Sequence, residues 1–223
     1  MRTVLCFGDS NTWGYDPETD GRRPWDRRWT GRLQHLLGPE YRVVEEGLNG
    51  RTTCWEDPLL RDRNGRAMLA PLLESHAPVD MLVLMLGTND MKHRFGLSAY
   101  DVARGVQTLV QDAWNHEYPP RRVLWICPPR LVVVRAAWAA EFQHAGEKSA
   151  RLAQCSEPLA RESGALFLNA ATLVSGSRLD GVHLDEEEHQ ALAAAVAARV
   201  LEDFGAAGEP APEPGDPDPQ EGP

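Results

Sequence analysis

The sequence is poor in cysteine, in long apolar runs and in positive charge. Cys6, Cys54, Cys127 and Cys155 are the only cysteines among 223 residues. They stand far apart, form no C-x-x-C pair and have no histidine at zinc-ligand spacing, so neither a disulfide framework nor a structural zinc site is indicated. Reduced thiols of a cytoplasmic protein are expected instead. Charges interrupt every apolar stretch before it approaches the roughly 18 residues that a spanning helix needs. The apolar run at residues 3–7 is too short for the core of a signal peptide. No membrane partner is therefore expected. Lys and Arg number 23 against 33 Asp and Glu, a formal charge of −10 that repels nucleic-acid backbones. The phosphate-binding patterns G-x-G-x-x-G and G-x-x-x-x-G-K-[ST] are absent as well, which removes the usual nucleotide sites of an α/β sheet.

What is present fits an ordinary globular domain, with 42% hydrophobic and 25% charged residues. Residues 1–204 read as one domain, large enough to bury a core without metal or disulfide. Residues 205–223 hold six prolines, five acids and no base, a composition that reads as a disordered, solvated tail. Within the domain, short apolar runs at 3–7, 41–45, 81–86, 122–127 and 166–169 alternate with helical patterns at 29–37, 67–75, 99–114, 136–163 and 185–204. Alternation of this kind predicts a three-layer, flavodoxin-like α/β sandwich around a five-stranded parallel sheet. Functional groups should then follow the carboxyl ends of strands.

Polar, glycine-punctuated turns stand at those places. Gly8-Asp9-Ser10-Asn11 follows the first strand, Gly47-Leu48-Asn49-Gly50 the second and Gly87-Thr88-Asn89-Asp90 the third, while Asp180-Gly181-Val182-His183 precedes the last helix. Together, and in this order, they resemble the motif blocks of the SGNH/GDSL hydrolase family. The longer strings Cys6-Phe7-Gly8-Asp9-Ser10, Glu45-Glu46-Gly47-Leu48, Arg51-Thr52-Thr53 and Met85-Leu86-Gly87-Thr88-Asn89-Asp90 resemble its arylesterase and acyltransferase branch. One departure is Asn11, where the family's name-giving motif carries leucine.

The chemistry can also be assembled from the residue types. A serine hydroxyl is a weak nucleophile at neutral pH and needs a neighbouring base. His183 is the best-placed of seven histidines, because Asp180 three residues earlier can hold its Nδ1 and leave Nε2 for Ser10. The family pattern maps the oxyanion donors to the backbone N–H of Ser10, the backbone N–H of Gly50 and the side chain of Asn89. Trp13, Lys92 and Val182 flank the blocks and are candidate pocket walls, with core or surface roles as alternatives. Ser10 could instead be a helix N-cap, and Asp9 and Asp90 read as braces of their turns. No metal or cofactor is expected: the acids lack the oxygen count of a calcium loop, and His183 and His189 are wrongly spaced to share a zinc.

The expectation is a cytoplasmic serine esterase for short acetyl or aryl esters, with alcohols able to compete with water as acyl acceptors. A carbohydrate O-deacetylase is the alternative on the same fold. From another class, Arg22, Arg23, Arg27, Arg28 and Arg32 with Trp25 and Trp29 could form a binding module for anionic ligands. The resemblance further implies a homo-oligomer, with this Arg/Trp segment and residues 136–142 as possible contacts.

Overall fold

The computed structural model describes residues 1–132 and 136–206. Five parallel strands form the sheet: β1 (Arg2–Gly8), β4 (Tyr41–Gly47), β5 (Met81–Met85), β6 (Arg122–Cys127) and β7 (Leu166–Asn169), in the order β4-β1-β5-β6-β7. This is the flavodoxin-like order expected of the alternating pattern. Strand direction reverses its progress across the sheet between β1 and β5, and a crevice opens beyond the carboxyl ends there. Two short strands, β2 (Tyr15–Asp16) and β3 (Gly21–Arg22), make an antiparallel hairpin that the sequence pattern did not reveal. Two-residue strands are too short to carry a periodic signal.

Alternate residues of the central strands feed two cores. Leu5, Phe7, Leu82, Leu84 and Trp125 face α3 (Gly65–Ser75), α4 (Ala99–Trp114) and α6 (Ala145–Glu162). Val4, Cys6, Met81, Val83, Met85, Leu124 and Ile126 face α2 (Trp29–Leu37) and α7 (Glu186–Ala206). Each buried aliphatic side chain contributes about 1.5–3 kcal/mol, so two such cores account for a fold whose four cysteines are all free. Among the described residues, no helix is long and apolar enough to cross a membrane.

The expected helix at 136–163 is two helices, α5 (Ala136–Ala139) and α6, parted where His144 takes a left-handed conformation, φ 62°. The break turns Trp138 and Phe142 toward the carboxyl-end rim. α7 continues to Ala206, over the first two residues of the expected tail; the rest of that expectation, residues 207–223, lies outside the described residues.

The five arginines of residues 22–32 are not a free cationic platform. Arg22 and Arg28 both reach Glu45 at 2.5 Å, Arg23 reaches Asp16 at 2.9 Å, and Arg32 and Arg27 reach Glu186 at 2.8 and 3.4 Å. Trp29 is wholly buried, and Trp25 is half exposed. His189 has a structural contact of its own. Its Nδ1 accepts the backbone N–H of Trp29 at 3.2 Å and so caps the first turn of α2 from across the core. Burial, helped by Arg23, Arg32 and Arg28, lowers its pKa to about 3 and keeps the ring neutral.

Candidate active site

β1 delivers Ser10 to the rim. Asp9 is the N-cap of the single-turn helix α1 (Ser10–Trp13), its Oδ1 accepting the N–H of Asn11 at 3.0 Å. Ser10 is therefore the first helical residue and not the cap, which leaves its hydroxyl free for another partner. The helix can sit this close to the sheet because Gly47 ends the neighbouring strand. A Cβ at Gly47 would lie 2.1 Å from the Trp13 backbone nitrogen, so any side chain would push α1 off its seat.

The turn before α7 brings the other partner. Ser10 Oγ lies 2.9 Å from His183 Nε2, and His183 Nδ1 lies 2.6 Å from Asp180 Oδ2. The second oxygen of Asp180 accepts the backbone N–H groups of Val182 and His183, each at 2.9 Å, and the Ser177 hydroxyl at 3.2 Å. Burial alone would raise the pKa of this carboxyl, but the hydrogen bonds and charge of His183 and the backbone donors outweigh it and hold it at about 2. Asp180 is thus a fixed anion that makes Nδ1 the protonated nitrogen and Nε2 the acceptor of the serine proton. All three side chains are buried. Such a chain can move a proton off the hydroxyl as its oxygen attacks.

The four expected turns meet around a cavity of about 250 Å³ lined by Ser10, Gly50, Asn89, Lys92, Val182 and His183, together with Tyr15, Asn49, Leu60, Arg63, Trp138 and Phe142. Asn89 Nδ2 donates one hydrogen to the carbonyl of Arg51 at 3.0 Å, which fixes the amide and leaves its second N–H to the cavity. Gly50 has φ +80°, a conformation that side chains disfavour. Val182 and Lys92 are cavity walls. Lys92 Nζ sits 3.2 Å from Glu141 and 5.6 Å from the centre of the Phe142 ring, and burial lowers its pKa against the pull of Glu141. Trp13 is not a lining residue; its ring lies beneath the Arg22 guanidinium, 4.9 Å away.

Asp9 and Asp90 brace their turns as expected. Asp90 accepts the N–H of Thr53 at 2.9 Å and its hydroxyl at 2.5 Å, and burial raises its pKa to about 6. Burial likewise raises that of Asp9.

Sequence reasoning missed three supports. The Tyr15 ring packs on the His183 imidazole with centroids 4.1 Å apart, and Trp138 meets the same ring edge-on at 6.3 Å. Arg51 donates to the carbonyls of Gly8 and Glu46, tying the ends of β1 and β4 to the loop that carries Gly50. Asn11 donates to the Val182 carbonyl at 3.3 Å and accepts the Leu184 N–H at 3.0 Å, bracketing His183 on both sides. Its polarity directly after the serine, where leucine was expected, was the one available signal. Among the described residues, no group of three or more His, Cys, Asp or Glu side chains could hold a metal ion.

The fold is shared with known esterases. A carbohydrate acetylesterase from Sinorhizobium meliloti is 37% identical, with a TM-score of 0.87 over 92% of this chain and 100% of that one. An aryl esterase from M. smegmatis is 35% identical, with a TM-score of 0.86 over 91% and 99%. A putative arylesterase from Agrobacterium tumefaciens is 38% identical, with a TM-score of 0.81 over 91% and 99%. No curated protein matches significantly. The profile of the GDSL-like lipase/acylhydrolase family matches residues 6–191. With its fold shared along almost the whole length of these esterases, the chain belongs to the GDSL-like lipase/acylhydrolase family.

Proposed function

We propose that this protein is a serine esterase that cleaves short acyl esters through an acyl-enzyme, with Ser10 as nucleophile, His183 as general base and acid, and Asp180 as the group that orients and charges the imidazole. The single observation that carries the reading is the hydrogen-bond chain of 2.9 and 2.6 Å from Ser10 through His183 to Asp180, set at the floor of a cavity. Ser10 Oγ bonds to the ester carbonyl carbon as its proton passes to Nε2. The tetrahedral oxyanion is received by the N–H groups of Ser10 and Gly50 and by Asn89 Nδ2. Collapse releases the alcohol, which takes the proton from His183. Water, or a second alcohol, then repeats the sequence on the acyl-serine.

A volume of about 250 Å³ lies just below the roughly 300–1,000 Å³ of most ligand pockets, which favours acetyl and similarly short acyl groups. Tyr15, Trp138 and Phe142 give the cavity an aromatic wall that supports alcohols as competing acceptors. Carbohydrate O-deacetylation is the second reading, favoured by the acetylesterase among the similar structures. A cytoplasmic, homo-oligomeric enzyme remains the setting proposed.

The test is a burst assay with p-nitrophenyl acetate. A first-turnover burst in the wild type and a loss of about ten-thousandfold or more in Ser10→Ala are expected; full activity in Ser10→Ala would end the reading. Rates on an acetylated sugar, and transfer product with added alcohol, assign the acceptor and the ester class.

A further inference from the structure

Two cations line the cavity, and they differ in one respect. The Lys92 ammonium is matched by Glu141. The Arg63 guanidinium has no carboxylate within ion-pair distance among the described residues; its Nη1 donates only to the main-chain carbonyls of Arg61 and Asp62, at 2.9 and 3.1 Å. Its Nε is buried without any hydrogen-bond partner. This nitrogen lies beside the proposed oxyanion hole: a methyl group built on Gly50 would sit 3.5 Å from Arg63 Nε and 3.4 Å from Leu60 Cδ1. The nearby Arg51 cannot supply the missing partner, being itself a cation bound to carbonyls. On the same wall, Asn49 has a buried side-chain oxygen without a partner. Half a turn of that amide would offer its NH₂ to an incoming acceptor.

A buried donor left unsatisfied is destabilising, and more so when it is charged. A ligand group that satisfies it recovers that cost, and the planar fork of a guanidinium matches a carboxylate better than any other small acceptor. Resting on the esterase reading, we propose that Arg63, assisted by Asn49, is the specificity-determining residue of the site and selects esters that carry a second, ionised carboxylate. Monoesters of dicarboxylic acids and acetyl esters of hydroxy acids both have this chemistry, with the charge in the acyl and the alcohol half respectively.

The experiment compares kcat/KM for methyl hemisuccinate against methyl butyrate, and for O-acetylglycolate against ethyl acetate, in the wild type, Arg63→Leu and Arg63→Lys. In at least one pair the wild type should prefer the anion. Arg63→Leu should lower that preference roughly tenfold or more, chiefly through KM, and leave the neutral ester cleaved. Arg63→Lys should restore part of it, and added salt should weaken it. The main-chain carbonyl that Arg63 offers to the Thr52 N–H at 2.8 Å is retained in every variant, so the loop keeps its anchor. Neutral-ester activity with no change of preference in either pair would overturn the assignment of Arg63 and leave the esterase standing. Inertness of the wild type toward every ester would overturn both.

Discussion

Asp180 and Asp90 are both buried carboxylates on the rim, one in the turn before α7 and one in the turn after β5, yet their acidities are displaced in opposite directions. Asp180 faces an imidazole and sits at about 2; Asp90 faces a threonine and another acid, Asp9, and sits at about 6. Burial opposes ionisation in both turns. What differs is the partner: a group that can become a cation stabilises the anion of Asp180, whereas a hydroxyl and an N–H only partly offset the burial of Asp90. The first turn holds a carboxylate anion against the His183 imidazole, and the second locks the loop that carries Asn89.

The sharpest way to break the contrast is Asp180→Asn. It removes the anion but keeps the shape, and should cost up to about ten-thousandfold in kcat with little loss of folded structure. Retention of more than a tenth of the activity, measured on a folded variant, would make Asp180 a brace like Asp90. Next in size is Asn11→Leu, which installs the leucine of the family motif. It leaves the Leu184 N–H and the Val182 carbonyl beside His183 without their partner, which should cost about 1–3 kcal/mol in denaturant unfolding and about tenfold in kcat through misplacement of the imidazole. Unchanged stability would mean that the Asp180–His183 turn holds itself.

The smallest effect belongs to Asp90→Asn, a change of a few-fold in rate, and its value lies in the pH dependence of stability. A carboxyl raised from about 4 to about 6 binds a proton in the folded state that the unfolded chain has already released. The contribution of Asp90 therefore falls as pH rises through that window. Asp180 has the opposite sign: its contribution is present above about pH 4 and is lost as pH falls toward 2. Melting temperatures measured from pH 3 to 7 should show Asp90→Asn gaining on the wild type between pH 4 and 6. Parallel curves would refute the difference between the two acids.

Much of this was legible beforehand because it is local. A buried strand needs a run of apolar residues, so all five strands of the sheet were placed within a few residues. A polar turn after such a strand must lie at its carboxyl end, so Ser10, Gly50 and Asn89 could be gathered on one rim, while Asp180 and His183, before the last helix, joined them through the resemblance to the family's motif blocks. The break at His144 was hidden, because residues on both sides of it keep helical composition. Trp13 was assigned to the pocket by adjacency, but a helix turns about 100° per residue, and two steps beyond Asn11 its ring points to Arg22. The arginines of residues 22–32 left a platform reading open because the partners of four of them, Glu45 and Glu186, come from distant elements.

The sequence by itself determined the order of strands and helices, the turns that bear reactive side chains and the kind of chemistry those side chains can perform, since each depends on residues within a few positions of one another. Tertiary structure alone decided which carboxyl is made more acidic and which less, that Asn11 rather than a leucine secures the histidine, and that Arg63 reaches the cavity with no counter-charge among the described residues. Those outcomes depend on distances between groups far apart in the chain and on the water excluded between them, and neither quantity is written in the local pattern.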